Sequence, residues 1–235
     1  MLVGIDVGGT YTDGALIADG RVVKLVKVPT TPDTLIASLF AALDSLLADT
    51  ERGAIERIVF STTLVTNLIA QAHLEPVALL LLPGPGVNPA LYGFHTPVRC
   101  LAGAIDYRGR EIVPLDRGEV REALGEIAAA GMKKVAVVGK FSPRNPSHEL
   151  AIEAIAGEHF PHLELELGHR VAGLLNFPRR AATTRLTLAT RDAHLGFLAQ
   201  VKQALATRGI TAPAFLLKAD GGALPLGLGE SRPVE

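Results

Sequence analysis

Hydrophobic and polar positions along the chain change period several times, and each change marks an element. Leu2–Val7 is an apolar run interrupted only by Asp6 and reads as a strand. Gly14–Ala18 and Arg21–Val28 read as two more, joined at Asp19-Gly20, a residue pair suited to a tight hairpin turn. Pro29 to Pro32 breaks this pattern. Asp33 or Thr34 is placed to cap a helix running to about Ala48, with Leu35, Leu39, Leu43, Leu46 and Leu47 on one face. Ile58–Phe60 is a short strand, the hydroxyl run Ser61-Thr62-Thr63 is placed to cap a helix to about Gln71, and Val77–Leu82 is a core strand.

An irregular stretch from Pro83 to about Arg99 separates this group from a second α/β segment. There, Ala102–Tyr107 and Glu111–Val113 flank Arg108-Gly109 as a hairpin, and Asp116 caps a helix reaching about Ala130. Lys134–Val138 is a strand, Pro146–Glu158 a helix and Leu163–Leu167 a strand. A long helical pattern runs from about Ala181 to Arg208 and stops at Gly209, followed by a strand at Ala214–Leu217. The first group therefore has the order βββαβαβ. Tight turns force its first strands to be antiparallel, whereas the later ones need helical crossovers and pair in parallel. A mixed sheet with this order is that of a ribonuclease H-like core.

Composition narrows the function classes. Of 235 residues, 48% are hydrophobic and 20% charged, which is enough for a sizeable core. The formal net charge of −1, with no Trp and no basic–aromatic stripe, gives no electrostatic case for nucleic-acid or anionic-membrane partners. The single cysteine, Cys100, has no internal disulfide partner. Val77–Leu82, the strongest apolar run, falls far short of the roughly 20 residues that span a bilayer. No signal peptide is visible, and a cytoplasmic setting is expected.

The chemistry concentrates in Gly4-Ile5-Asp6-Val7-Gly8-Gly9-Thr10-Tyr11-Thr12-Asp13. A carboxylate inside a buried strand is costly unless it is paired, hydrogen-bonded or near a metal. Gly8 and Gly9 permit positive φ and remove Cβ atoms that would block a ligand. Backbone N–H groups in such a turn, with the Thr10 and Thr12 hydroxyls, are suited to a phosphate nest. Asp6 is then placed to hold Mg²⁺, through water. The bland alternative is a tight hairpin with a hydrogen-bonded Asp. Neither GxGxxG nor GxxxxGK[ST] occurs, which disfavours dinucleotide and P-loop sites. The seven histidines show no metal-ligand spacing, and His95 near Cys100 is poor evidence for a nucleophilic dyad.

The string DVGGTYTD resembles the first phosphate loop of the actin-like ATPase and sugar kinase superfamily, and within it the hydantoinase/oxoprolinase family, whose signature is close to DVGGTFTD. Ser61-Thr62-Thr63-Leu64-Val65-Thr66-Asn67 resembles that family's GTT-x-ATN segment, and Lys218-Ala219-Asp220-Gly221-Gly222 its SNGG or SDGG segment. Tyr107 to Asp116, Asn145-Pro146-Ser147-His148-Glu149 and Arg179-Arg180-Ala181-Ala182-Thr183-Thr184 resemble further family stretches in order, and read mainly as scaffold. The segment from Val87 to Arg99 departs most.

The resemblance implies ATP and Mg²⁺ as cofactors. Asp6 would organise the metal, with Gly8, Gly9, Thr10 and Thr12 around phosphate and Asp13 orienting water or capping the turn. Thr62, Thr63 and Asn67 would lie near a cleft, along with Asp220, Gly221 and Gly222, and Arg179, Arg180 and Thr183 are further cleft candidates, with a solvated basic helix start as the alternative. It implies a hydantoinase/oxoprolinase N-terminal domain over 1–180, made of the core at 1–82 and an α/β segment at 100–180, with 181–235 starting a second domain. The implied activity is ATP-dependent opening of a cyclic amide of the hydantoin or 5-oxoproline type. Alternatives are a carboxylase subunit of the same family, a small-molecule kinase or a non-catalytic binding module. Glu230 to Glu235 resembles the stretch before the family's SGPA motif, so a C-terminal half or a second subunit is expected as partner, with this stretch inactive alone. A homo- or hetero-oligomer fits the same reading.

Overall fold

A computed structural model describes residues 1–30 and 35–229. The expected cap at Asp33 or Thr34 and the family-like stretch from Glu230 lie outside these residues. In chain order the first elements are β1 (Leu2–Val7), β2 (Tyr11–Ala18), β3 (Arg21–Pro29), α1 (Leu35–Leu47), β4 (Arg57–Thr62) and α2 (Leu64–Ala70). Then come β5 (Val77–Leu82), β6 (Val98–Cys100), β7 (Ala104–Ile105), β8 (Glu111–Val113), α3 (Arg117–Ala129) and β9 (Lys134–Gly139). The last are α4 (Ser147–His159), β10 (Glu164–Leu167), α5 (Gly168–Val171), α6 (Phe177–Thr207), β11 (Ala214–Leu217) and β12 (Ala223–Pro225). The chain forms two compact units, one from Met1–His73 with Thr190–Glu235, the other from Leu74–Ala189.

The first unit carries a mixed six-stranded sheet in the order β12-β11-β4-β1-β2-β3. β1 pairs antiparallel with β2 and parallel with β4, and β11 pairs parallel with β4. The β2–β3 turn at Asp19-Gly20 has φ of 50° and 71°, the left-handed pair that a tight hairpin requires. Along β1 the period is two: Val3, Ile5 and Val7 are buried, while Leu2 and Asp6 are exposed. The buried set packs on Leu39, Leu43 and Leu46 of α1 and on Phe197, Leu198 and Val201 of α6. Gly14 sits at the closest approach, where a Cβ would come within 2.7 Å of Leu46 Cδ1 and 2.8 Å of Val26 Cγ2.

The second unit holds a parallel sheet in the order β10-β9-β5-β6 and the small β7–β8 hairpin. β5 and β9 are buried along their whole length because both faces are covered. Ala78, Leu80, Leu82, Val135 and Val137 face one cluster with Val120, Leu124 and Ile152. Val77, Leu79, Leu81, Ala136 and Val138 face another with Phe177 and Leu188. Burying each such Leu contributes about 1.5–3 kcal/mol. The helix α3 starts where Asp116 accepts hydrogen bonds from Gly118 N (2.7 Å) and Glu119 N (3.2 Å).

Three expectations are corrected. Val77–Leu82 does not complete the first sheet; it is central in the second, and β11 takes its place beside β4. An unbroken apolar strand fits the middle of either sheet, and neighbourhood in sequence pointed to the wrong one. The chain from Thr190 onward returns to the first unit and does not open a separate one at 181, a position that lies inside the continuous helix α6. Finally, β2 begins at Tyr11, not Gly14, so Thr12 and Asp13 are strand residues.

Candidate functional site

Parallel β1, β4 and β11 deliver their C-terminal ends to one edge of the first unit's sheet. Val7 lies beside Thr62, and Leu216 beside Phe60. The turn at Gly8–Thr10, the start of α2 and the β11–β12 hairpin at Lys218–Gly222 therefore meet at that edge. Ligands in open α/β sheets bind outside the carboxyl ends of strands.

Asp6 is exposed, on the sheet face opposite the α1 side, and lies across from Asp13 on β2 and beside Ser61 on β4. It is thus not the buried carboxylate that the apolar run suggested. The alternation of Val3, Ile5 and Val7 against Gly4 and Asp6 carries the signal for this placement. Asp13 is also exposed and binds Lys27 Nζ at 2.9 Å, while that ammonium lies 4.6 Å from the Tyr11 ring centroid. Gly8 N donates to Tyr11 O at 3.0 Å, closing the turn. Neither Gly8 nor Gly9 has positive φ, so the conformational reason anticipated for them does not apply. Their need is close approach: a Cβ on Gly8 would lie 2.9 Å from Tyr11 O, and one on Gly9 3.1 Å from Asn67 Nδ2. Thr10 is exposed beside them.

Thr12 does not reach this edge. It is fully buried, and its hydroxyl shares 2.8 Å hydrogen bonds with Thr30 Oγ1 and Ser38 Oγ, tying β2 to α1. Thr62 Oγ1 donates to Val7 O (3.1 Å) and accepts from Leu64 N (3.1 Å), joining β1, β4 and the first turn of α2. Thr63 is the N-cap residue of α2 by position, and its hydroxyl accepts from Asn67 Nδ2 at 3.2 Å. In the hairpin, Asp220 Oδ1 accepts from Gly222 N at 2.8 Å, Oδ2 meets Lys218 Nζ at 3.0 Å, and Gly221 has φ of 85°. The Gly222 N–H and then Lys218 lower the Asp220 carboxyl below its ordinary value.

A cavity of about 330 Å³ opens beside this edge, between α2 and the ends of β4 and β11. Its polar lining is Ser61, Thr62, Thr66, His194 and Lys218; its apolar lining is Val65, Ile69, Leu216, Leu217 and Ala219. His194 was not anticipated. It lies on α6 at 2% exposure, and its Nε2 is 2.9 Å from Gly229 O. A carbonyl only accepts, so Nε2 holds the proton and Nδ1 the lone pair; Nδ1 is buried with no hydrogen-bond partner among the described residues. Burial lowers the His194 pKa, against the smaller opposing effect of the Gly229 carbonyl. An unfolded histidine titrates near 6.5, so the unfolded chain takes up this proton first and stability is lost as pH falls below about 6.5. Urea midpoints measured from pH 7 to pH 5 are expected to drop more for the parent than for His194→Gln; parallel slopes would refute the assignment.

The stretches read as scaffold meet in the second unit. Glu149, fully buried, accepts from Gly139 N (2.8 Å), His169 N (3.0 Å) and His169 Nδ1. Arg180, 1% exposed, donates to Gly139 O, Lys140 O (2.8 Å) and Leu174 O. A carboxylate and a guanidinium thus hold the two polar groups of Gly139 at the end of β9. Burial lowers the Arg180 pKa, with Glu149 opposing. Arg180 is therefore an internal clamp, not a surface ligand group, and Thr183 turns its hydroxyl back to Arg179 O at 2.9 Å. Arg179 is exposed.

The chain belongs to the hydantoinase/oxoprolinase family: the family model for the hydantoinase/oxoprolinase N-terminal region matches residues 2–160. It is 26% identical to the acetophenone carboxylase gamma subunit of Aromatoleum aromaticum, over 82% of this chain and 31% of that subunit. Its fold is that of a nucleotide-free acetone carboxylase structure, with a TM-score of 0.84 and 20% identity over 99% of this chain and 38% of that one. It is also that of the ATP-dependent caprolactamase from Pseudomonas jessenii, with a TM-score of 0.80 and 24% identity over 96% of this chain and 36% of that one. The chain spans between 31% and 37% of the length of the curated relatives it matches. No described helix is long and apolar enough to cross a membrane.

Proposed function

We propose that the first unit is a ribonuclease H-like half of an ATP site, in a protein that activates a carbonyl group by phosphoryl transfer and thereby opens a cyclic amide. The observation that carries this reading is the meeting of three loops at one sheet edge with Asp6 exposed beside them. The strand order β3-β2-β1-β4 followed by parallel β11 supports the fold assignment. The residues fit the group they would hold: two glycines without Cβ, an exposed Thr10, and a carboxylate that accepts no hydrogen bond from a described residue. Gly8, Gly9 and Thr10 would bind phosphate, and Asp6 would hold Mg²⁺ through water. When bound, ATP supplies the phosphoryl group and Mg²⁺ neutralises charge on its oxygens. Thr62 and Thr63 hold the start of α2 against β1, and the Asp220-Gly221-Gly222 hairpin borders the same edge. The remainder of the nucleotide site would come from a longer polypeptide or a second subunit.

Carboxylation of a ketone is the second reading, favoured by the likeness to acetophenone carboxylase and acetone carboxylase. Both begin with ATP-dependent activation of a carbonyl compound. The test is ADP release by the complete protein with Mg²⁺ and either ε-caprolactam, hydantoin or 5-oxoproline, or acetone or acetophenone with bicarbonate. Release coupled to an equal yield of ring-opened acid is expected. Release only with ketone and bicarbonate would replace hydrolysis by carboxylation. No turnover with any of them would reduce the unit to a binding module.

A further inference from the structure

We infer that the second unit carries a groove for a small zwitterion with an apolar tail, an α-amino acid of about the size of phenylalanine. The groove is a cavity of about 500 Å³ between the edge strand β6 and the last turns of α3. Ligand pockets span roughly 300–1,000 Å³. It lies within this unit and does not depend on the ATP reading of the other.

Strand register builds the groove. β6 pairs in parallel with β5, which sets Val98 beside Leu79 and Arg99 beside Leu80. Directly paired residues share a face, so Arg99 leans with Leu80 toward α3. On that helix Ile127 turns inward with Val120 and Leu124, which leaves Glu126, one residue earlier, on the rim. The walls are apolar: Ala78, Leu79, Pro97, Val98, Ile127 and Met132. Arg99 and Glu126 are the two charged groups of the lining.

Those two charges decide the class of ligand. Arg99 Nε lies 3.7 Å from Glu126 Oε2, too far for a hydrogen bond. That N–H is closed from solvent, and no described residue accepts from it. Opposite charges thus stand side by side on the rim without a hydrogen bond between them. A lone carboxylate set on Arg99 would face Glu126, and a lone ammonium set on Glu126 would face Arg99. A molecule whose carboxylate and ammonium flank one carbon supplies both partners at once, as charge-assisted hydrogen bonds. Its tail then meets aliphatic walls and the Met132 thioether, a favourable neighbour for an aromatic ring edge. Both charged side chains are about half exposed, so the tail anchors the ligand and the charges select it.

The experiment is binding to the complete protein, by calorimetry or ligand-observed NMR, with three probes. They are L-phenylalanine, 3-phenylpropionate, which lacks the ammonium, and L-phenylalaninamide, which lacks the carboxylate. L-Phenylalanine is expected to bind at least about fivefold more tightly than either, the size of effect set by one exposed ion pair. Glu126→Gln is expected to abolish its advantage over 3-phenylpropionate, and Arg99→Gln its advantage over the amide. Ala130→Trp, at an exposed position of the lining, is expected to weaken all three by at least about tenfold by filling the groove. Absence of phenylalanine binding, equal binding of either analogue, or a preference unchanged in both charge variants would overturn the inference. Binding that a folded Ala130→Trp protein retains in full would place the ligand elsewhere and overturn it too.

Discussion

An Asp6→Ala variant of the complete polypeptide is expected to lose at least about a hundredfold in ATP turnover while melting at the parental temperature. Deleting one preorganised electrostatic group at a reacting centre typically lowers the rate by about 10²–10³. The structural half of the expectation follows from exposure. Asp6 sits on the open face of β1 and accepts no hydrogen bond from a described residue, so its removal strips nothing from the core. Asp13→Ala separates the contributions of the two neighbouring carboxylates to turnover. It removes a carboxylate from the neighbouring strand and releases Lys27, an exposed pair contributing at most about 1 kcal/mol. Turnover of Asp6→Ala within threefold of the parent would refute a role for this carboxylate in holding the metal.

The second large effect belongs to stability. Arg180→Ala is expected to destabilise the second unit by at least about 2 kcal/mol, since a hydrogen bond to a charged group contributes about 1.5–3 kcal/mol. The variant would leave Lys140 O and Leu174 O without this donor, leave Gly139 O to Ser142 alone, and weaken the positive field at the fully buried Glu149, which keeps His169. Arg180→Lys should recover only part of this, since an ammonium lacks the planar fork that reaches three carbonyls together. Hydrogen exchange along β9 is the direct readout, because it reports on this unit whether or not the other unfolds with it. A loss below about 1 kcal/mol would mean the clamp is incidental.

Legibility in sequence followed whether a residue's partner is local. The Asp19-Gly20 turn and the Asp116 cap were readable because each is decided within four residues, by permitted φ in one case and by a carboxylate facing free N–H groups in the other. The three loops of the candidate site were readable as motifs, and their meeting at one edge follows from parallel pairing. Thr12 failed on parity. The Gly8–Tyr11 turn starts β2 at Tyr11, and a period of two then sends Thr12 inward to Thr30 and Ser38 and Asp13 outward. Val77–Leu82 failed because a strand buried on both faces has no alternation to say which layers cover it. His194 left no mark at all: it lies within a long helical pattern, and its partner is a backbone carbonyl thirty-five residues away.

The pairing of β11 with β4 joins Ile58 to Ala214, with the entire second unit between them in the chain. Synthesis therefore presents the two units in a fixed order of completion. The inserted unit has all its strands once Leu167 has been made, and its last buried helix contacts once Ala189 follows. The unit that begins the chain must wait for α6 and β11 before its core closes. Until then β4 is an edge strand with unpaired backbone groups, and the apolar faces of β1 and α1 lack Phe197, Leu198 and Val201. The nascent chain is thus most exposed to misassociation during that interval, along the edge of β4 and the uncovered faces of β1 and α1.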